Sequence, residues 1–417
     1  MDIKKQRGQF FTTKEKVLNV LVSLIQNRGD VFEPSAGSGH IINAVEKVHD
    51  KKIYACELDY EKVETKVCQS EITVSNFFDY IKNNKKYSSV IGNPPFVKLK
   101  NVELSTIDLL PEKIKGNGNL YYLFIKYSIE VLEDNGEIIF IVPKEWLYNT
   151  SSQFLRDYLK VNGDFTHFID CGEEKLFDDA DVPALCIFRY QRGYNGKTKY
   201  YDSIEDFHSN TYKDKKTIYG KTVSFVINKR TSNKISDYFD VKVGLVTGSE
   251  PVFKLDNDTT LENECIIQMV TTSKTLQNYL FLDKYSSVDN IPKRTREYIL
   301  SKKEVLLKRK IKKFGVKNWW HYGALRNLEL MKSDRPRIYG LMKTRDLNPF
   351  WIGEPKTYFS GGVFALFPKN NLNLDLQLMT DYLNSYQFKE ILSEANMYSN
   401  NKVSFTPTAF SSLPFEI

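Results

Sequence analysis

No apolar run in this chain of 417 residues approaches the ~20 needed to span a bilayer as a helix, and no secretory signal, internal repeat or low-complexity tract interrupts it. No membrane attachment is therefore expected. Cysteine is sparse. The five thiols (Cys56, Cys68, Cys171, Cys186 and Cys265) show no C-x-x-C spacing, which argues against a zinc centre and against a disulfide framework. They read as reduced, mostly buried thiols of a cytoplasmic protein, and no metal is expected. Charge of one sign is not in large excess either. Lys and Arg number 59 against 52 Asp and Glu, a net +7 that by itself identifies no partner. The length is too great for one compact domain and suggests two.

What is present starts with Asn93-Pro94-Pro95-Phe96, directly behind the apolar run Ser88-Ser89-Val90-Ile91. Adjacent prolines cannot donate to a ladder or continue a helix, so the strand must end there in a rigid turn. The turn offers an amide side chain, a proline carbonyl and an aromatic ring. The Asn93 oxygen and the Pro94 carbonyl can both accept from one NH2 group while the Phe96 ring stacks on a planar base. An ordinary strand-to-loop turn would favour Asn and Pro as well, so the upstream residues decide. Val31-Phe32 reads as a short buried strand, Glu33-Pro34-Ser35-Ala36-Gly37-Ser38-Gly39 as a glycine-rich turn, and His40 to Val45 as the start of a helix. Glycines there let backbone approach a ligand closely. A second strand, Lys52 to Cys56, delivers Glu57, an acid suited to a ribose diol some twenty positions after the glycine turn. A third, Ile72 to Ser75, ends at Asn76-Phe77, where an amide and a ring can read and cover an adenine. These features fall at the ends of four successive strands, the edge at which open α/β sheets bind ligands.

On these residues the chain resembles the class I, S-adenosylmethionine-dependent amino-methyltransferases, and within them the gamma-class (Taq-like) N6-adenine DNA methyltransferases of restriction-modification systems. Gly8-Gln9-Phe10-Phe11-Thr12-Thr13 is similar to the N-terminal motif that closes the methionine end of the cofactor in that subclass. Thr12 and Glu15 also have capping-box spacing for a helix over Lys16 to Asn27, with Val17, Leu21, Leu24 and Ile25 inward. The resemblance places Thr12, Glu33, Pro34, Ala36, Gly37 and Gly39 by the cofactor, Glu57 on its ribose, and Asn76 and Phe77 at its adenine. Asn93, Pro94, Pro95 and Phe96 become the catalytic turn. Phe177, ahead of a strand over Val182 to Arg189, matches the ring that packs on the other side of an extruded base, and it also suits a core position. Asn76 stands where the family usually has Asp, and an amide accepts from an adenine amine only when suitably oriented. Phe96 replaces the commoner Tyr.

The fold implied is α/β: a Rossmann-like, doubly wound mixed sheet over residues 1–232, followed by an α+β target-recognition domain over 233–417. Asn119 to Leu132 reads as an amphipathic helix and Gly136 to Pro143 as a fully buried strand. Between Ile291 and Trp320, eleven Lys and Arg face only Glu297 and Glu304, with Phe314, Trp319, Trp320 and Tyr322 close by. A basic stretch mixed with aromatics suits phosphate contacts plus groove or base packing, with Lys308, Arg309, Lys312 and Lys313 as candidates. A solvated helix face anchored by a Trp pair would look similar. The activity implied is transfer of a methyl group to the N6 amine of an adenine flipped out of double-stranded DNA, by a monomer, with any cognate restriction endonuclease acting separately. The arm before Thr12 leaves no room for a fused nuclease. A methyltransferase of RNA guanine amines or protein glutamine shares the Asn-Pro-Pro-aromatic turn, but the basic C-terminal region argues against it. A non-catalytic DNA-binding subunit with this fold is argued against by the intact turn.

Overall fold

Apolar strands too buried to alternate form the centre of a ten-stranded sheet in this computed structural model, which describes residues 12–102, 104–110, 118–177, 184–228, 230–309, 318–369, 372, 374–399 and 402–416. The strands are β1 (Val31–Glu33), β2 (Ile53–Glu57), β3 (Thr73–Val74), β4 (Tyr87–Gly92), β5 (Leu132–Pro143), β6 (Gly163–Gly172), β7 (Leu185–Arg192), β8 (Thr198–Tyr201), β9 (Lys213–Tyr219) and β10 (Val223–Val226). Their order is β10-β9-β8-β6-β7-β5-β4-β1-β2-β3. Neighbours from β3 to β5 run parallel, whereas β7 is antiparallel to both β5 and β6. This is the Rossmann-like mixed sheet expected. Residues 136–143 of β5 are buried throughout, also as expected. All five cysteines are free and buried.

Two helices depart from expectation. The first runs over Glu15–Ser23, with Lys14 at its N-cap and no side-chain cap. Thr12 does not cap it, because its hydroxyl accepts from Asn93 Nδ2 at 3.1 Å. The helix also stops early. The fully buried Glu137 carboxylate accepts from the backbone N–H groups of Gln26 and Asn27, both at 3.0 Å, and turns the chain there. Val17, Leu21, Leu24 and Ile25 are buried as expected. The second helix, Leu120–Glu130, is not amphipathic, since all but Lys126 and Glu130 are buried. It is covered on more than one side: Phe124 stacks on Phe77 at 4.5 Å while the Tyr121 ring meets Phe96 at 5.9 Å.

The chain divides into two compact units, Met1–Arg230 with Glu394–Asn400, and Thr231–Ser393 with Asn401–Ile417. Glu394–Asn400 is a late return to the first unit. Arg230 donates to the Glu394 carboxylate at 2.9 and 3.1 Å, and Asn396 Nδ2 donates to the Val223 carbonyl at 3.0 Å. The second unit is α+β. Phe239–Val243, Val363–Pro368, Arg337–Leu341 and Phe350–Gly353 form an antiparallel sheet in that order, beside the hairpin Ile266–Val270 and Leu276–Leu280. Trp319, Trp320 and Tyr322 belong to its core, so these aromatics of the basic stretch are interior rather than exposed for base packing. Among the described residues no helix is long and apolar enough to cross a membrane.

Candidate active site at the carboxyl edge of the sheet

The site is a chain of contacts linking the carboxyl ends of β4, β1, β2 and β3, which are neighbours in the sheet. At β4 the strand stops at Gly92 and the two prolines follow. Val97 N–H donates to the Pro95 carbonyl at 3.1 Å and Leu120 N–H to the Val97 carbonyl at 2.8 Å, tying the turn to the next helix. Asn93 is held from two sides. Its Nδ2 donates to Thr12 Oγ1, which sets the orientation of the amide, and its backbone carbonyl accepts from Ser35 Oγ at 3.2 Å. Ser35 thus joins the Asn-Pro-Pro-Phe turn to the glycine-rich turn.

That second turn needs its glycines for backbone reasons. Gly37 and Gly39 have φ of +54° and +80°. A Cβ at Gly39 would also stand 2.4 Å from Cys68 Sγ. Pro34 and Ala36 are buried, and Ala36 N–H donates to the Cys56 carbonyl at 3.0 Å, so the turn lies along β2. Glu57, at the end of β2, accepts from Gly37 N–H at 2.8 Å and Asp59 N–H at 2.9 Å. Burial pushes its carboxyl up, and those N–H groups pull partly against it. Glu33, at the end of β1, is 1% exposed. Burial, reinforced by the Glu57 charge, holds its carboxyl well above the ordinary value, and its Oε2 has no hydrogen-bond partner among the described residues.

At β3, Ser75 N–H donates to the Glu57 carbonyl at 2.9 Å, which brings Asn76 alongside. Asn76 Oδ1 accepts from Phe78 N–H at 3.0 Å and caps the helix Phe77–Tyr80, while Nδ2 donates to Thr106 Oγ1 at 3.0 Å. Phe77 is buried at 3% and stacks with Phe124, so it stands in the interior rather than as an exposed face. Phe96 is half-buried, and its ring meets Phe177 at 6.3 Å and 63°, edge to face. Phe177 is 4% exposed and shares a core cluster with Leu176 and Leu185. It therefore packs in the core, as one of its two readings has it, and its ring also lies against Phe96.

Three neighbours of the site escaped the sequence. Thr106 fixes the Asn76 amide, and nothing in its surroundings along the chain announces that. Tyr121, buried with its hydroxyl on the Pro143 carbonyl at 3.3 Å, backs the Phe96 ring. Leu58 is 57% exposed directly after the strand-end acid, an apolar side chain standing in water beside Glu57. Its position was a usable signal.

The basic stretch is divided. Lys308 is exposed. Arg309 donates to the carbonyls of Leu306 (3.1 Å), Thr247 (2.9 Å), His321 (3.0 Å) and Trp319, and burial lowers its pKa to about 10. It is a structural clamp, and its assignment to phosphate is corrected on that ground. Lys312, Lys313, Phe314 and residues 8–11 of the N-terminal motif lie outside the described residues, as does the expected start of β7 at Val182. Among the described residues no group of three His, Cys, Asp or Glu side chains could hold a metal ion.

A glycine-walled edge with two buried carboxyls, one of them short of a hydrogen-bond donor, fits a nucleoside that carries positive charge. Comparison with known proteins agrees. Residues 21–177 match the family described as Eco57I restriction-modification methylase. The Type II methyltransferase M.HindII of Haemophilus influenzae (strain ATCC 51907 / DSM 11121 / KW20 / Rd) is 23% identical, over 98% of this chain and 89% of that protein. The Type II methyltransferase M.HincII of Haemophilus influenzae is 22% identical, over 98% and 88%. Among solved structures, the Type IIL restriction-modification enzyme MmeI in complex with DNA superposes with a TM-score of 0.63 at 11% identity, covering 95% of this chain and 63% of that one, a likeness of fold. Over residues 21–177 the chain is thus similar to the Eco57I restriction-modification methylases, and its fold is like that of the MmeI enzyme.

Proposed function

We propose that this protein methylates the N6 amine of an adenine flipped out of double-stranded DNA, protecting a specific sequence from a separate restriction endonuclease. The observation that carries the reading is the oriented amide of Asn93, fixed by Thr12 and joined through Ser35 to the cofactor turn. A duplex buries the adenine amine, so the base must leave the stack to reach it. Asn93 Oδ1 and the Pro94 carbonyl then accept the amine's two N–H bonds, which turns the nitrogen lone pair away from them. Phe96 supplies a stacking face, worth ~1–3 kcal/mol. Because Phe96 and Phe177 touch edge to face, the base enters by parting the two rings. Pro95 stiffens the turn.

Glu57 holds the ribose of the cofactor, with Leu58 and Asn76 beside its adenine and Glu33, Pro34, Ala36, Gly37 and Gly39 lining its path. When bound, S-adenosylmethionine supplies an electrophilic methyl group, taken by direct displacement without a covalent enzyme intermediate. What the chain contributes is position and electrostatics. The first unit, Met1–Arg230 with Glu394–Asn400, serves as the catalytic domain and the second, Thr231–Ser393 with Asn401–Ile417, as the target-recognition domain, in place of a single cut at 232, in a protein acting as a monomer. The deciding experiment is to express the chain in a host lacking adenine methylation and map modified bases by sequencing. N6-methyladenine at one recurrent motif is expected. Unmodified DNA, or methylation found only on RNA or protein, would sink the reading.

A further inference from the structure

Two acids meet the cofactor turn, and they are provisioned differently. Glu57 has a backbone N–H on each carboxylate oxygen. Glu33 is more deeply buried and, among the described residues, receives support only from the backbone N–H of Ile42 and leaves Oε2 without a partner. The titratable groups acting with it are Glu57 and Cys56 on β2 and Cys68 beyond it. Burial keeps the Cys56 thiol well above its ordinary value, so it stays neutral. Among the described residues no cation appears among the groups acting on Glu33. A carboxylate so placed lacks the donors or counter-charge that would stabilise it, and the neutral acid is the form that fits.

We propose that Glu33 is a protonated acid in the cofactor-free protein and gives up its proton when S-adenosylmethionine binds, so that the carboxylate becomes the counter-charge of the cationic cofactor. The inference rests on the reading that the cofactor lies at the β1–β2 edge. The balance is simple. The O–H bond of Glu33 breaks, the proton passes to solvent, and the cofactor's ammonium and sulfonium, which outweigh its one carboxylate, replace that proton as the positive charge facing Glu33. Nothing is oxidised or reduced. Binding that releases a proton tightens as pH rises, by at most about tenfold per pH unit for one proton.

The test is titration calorimetry of the full chain with S-adenosylmethionine at pH 6–7, in two buffers of different ionisation enthalpy. In the parent the heats should differ by the amount expected for release of up to one proton, and affinity should rise with pH. Glu33→Gln, which keeps the shape of the protonated acid, should bind more weakly, release no proton and show a flat pH dependence. Glu57→Gln should weaken binding yet still release the proton. Infrared difference spectra of the parent give a second readout: a carboxylic-acid C=O band that disappears on cofactor addition. Tight binding with identical heats in both buffers and no such band would overturn the inference alone, as would undiminished proton release by Glu33→Gln. Failure of the parent to bind the cofactor would overturn the underlying placement too.

Discussion

Two buried charges, one in each unit, are treated in opposite ways. In the second, Arg337 is 0% exposed, yet its guanidinium donates to five carbonyls, those of Arg335, Met331, Thr357, Leu330 and Ser333, at 2.8–3.4 Å. Arg309 is treated alike. In the first, Glu33 is almost as buried and is left with an oxygen that no described residue supplies. A saturated buried charge is a strut, complete within the chain. An unsaturated one at a ligand edge carries a cost that a ligand can remove. Charge and burial alone do not separate the two; the tally of partners does.

The contrast can be broken at its functional end first. Asn93→Ala removes the proposed acceptor, and tritiated methyl transfer to DNA should fall by about 10²–10³-fold, the scale of losing one oriented polar group. Calorimetric cofactor affinity should stay within a few-fold, and a mutant with near-parental turnover would show that the amide is not used. The structural end comes next. Arg337→Met orphans several carbonyls and should cost roughly 2–4 kcal/mol in urea unfolding, while cofactor binding by the folded protein is unaltered. A stability change within error would mean that those carbonyls find other partners.

Glu33→Gln should produce a smaller, pH-dependent change. A carboxyl raised above its ordinary value holds its proton in the folded state after the unfolded chain has lost it, so parental stability falls as pH rises past 4.5. The mutant should therefore melt higher than the parent at pH 8, with the gap closing toward pH 4.5. A gap that widens on acidification has the wrong sign. The smallest effect compares chain neighbours. Lys308→Ala should weaken DNA binding slightly and lower the salt slope by about 0.9 without altering stability. Arg309→Ala should do the reverse, lowering stability through its lost carbonyl contacts. Equal salt slopes for Lys308→Ala and the parent would make Lys308 a bystander.

Much of the first unit could be read along the chain because parallel buried strands leave uninterrupted apolar runs. The turns between them carry Gly, Pro and Asn for backbone reasons that need no partner to be known. The strand-end places of Glu57 and Asn93 were legible for that reason, one closing β2 and the other following β4. The misreadings share one cause, a partner distant in sequence. Thr12 was given a cap three residues away and took Asn93 instead, 81 residues on. The first helix ends at an acid 110 residues later. The helix Leu120–Glu130 looked one-sided because nothing local shows that Phe77 and Phe96 cover it from different directions. Arg309 looked like its exposed neighbours because the carbonyls that hold it come from Thr247 and from residues 319–321.

The late return of Glu394–Asn400 to the first unit has a consequence in the order of manufacture. Arg230 waits for Glu394, 164 residues downstream. At ~5–20 residues per second that is on the order of ten seconds or more of translation. During that interval the first unit has left the ribosome without its last strap, while the second unit is still being made. The final piece of the first unit arrives only after most of the second has been made. A message cut short before codon 394 yields a first unit that lacks it, so a late stretch of the gene decides when an early one is complete.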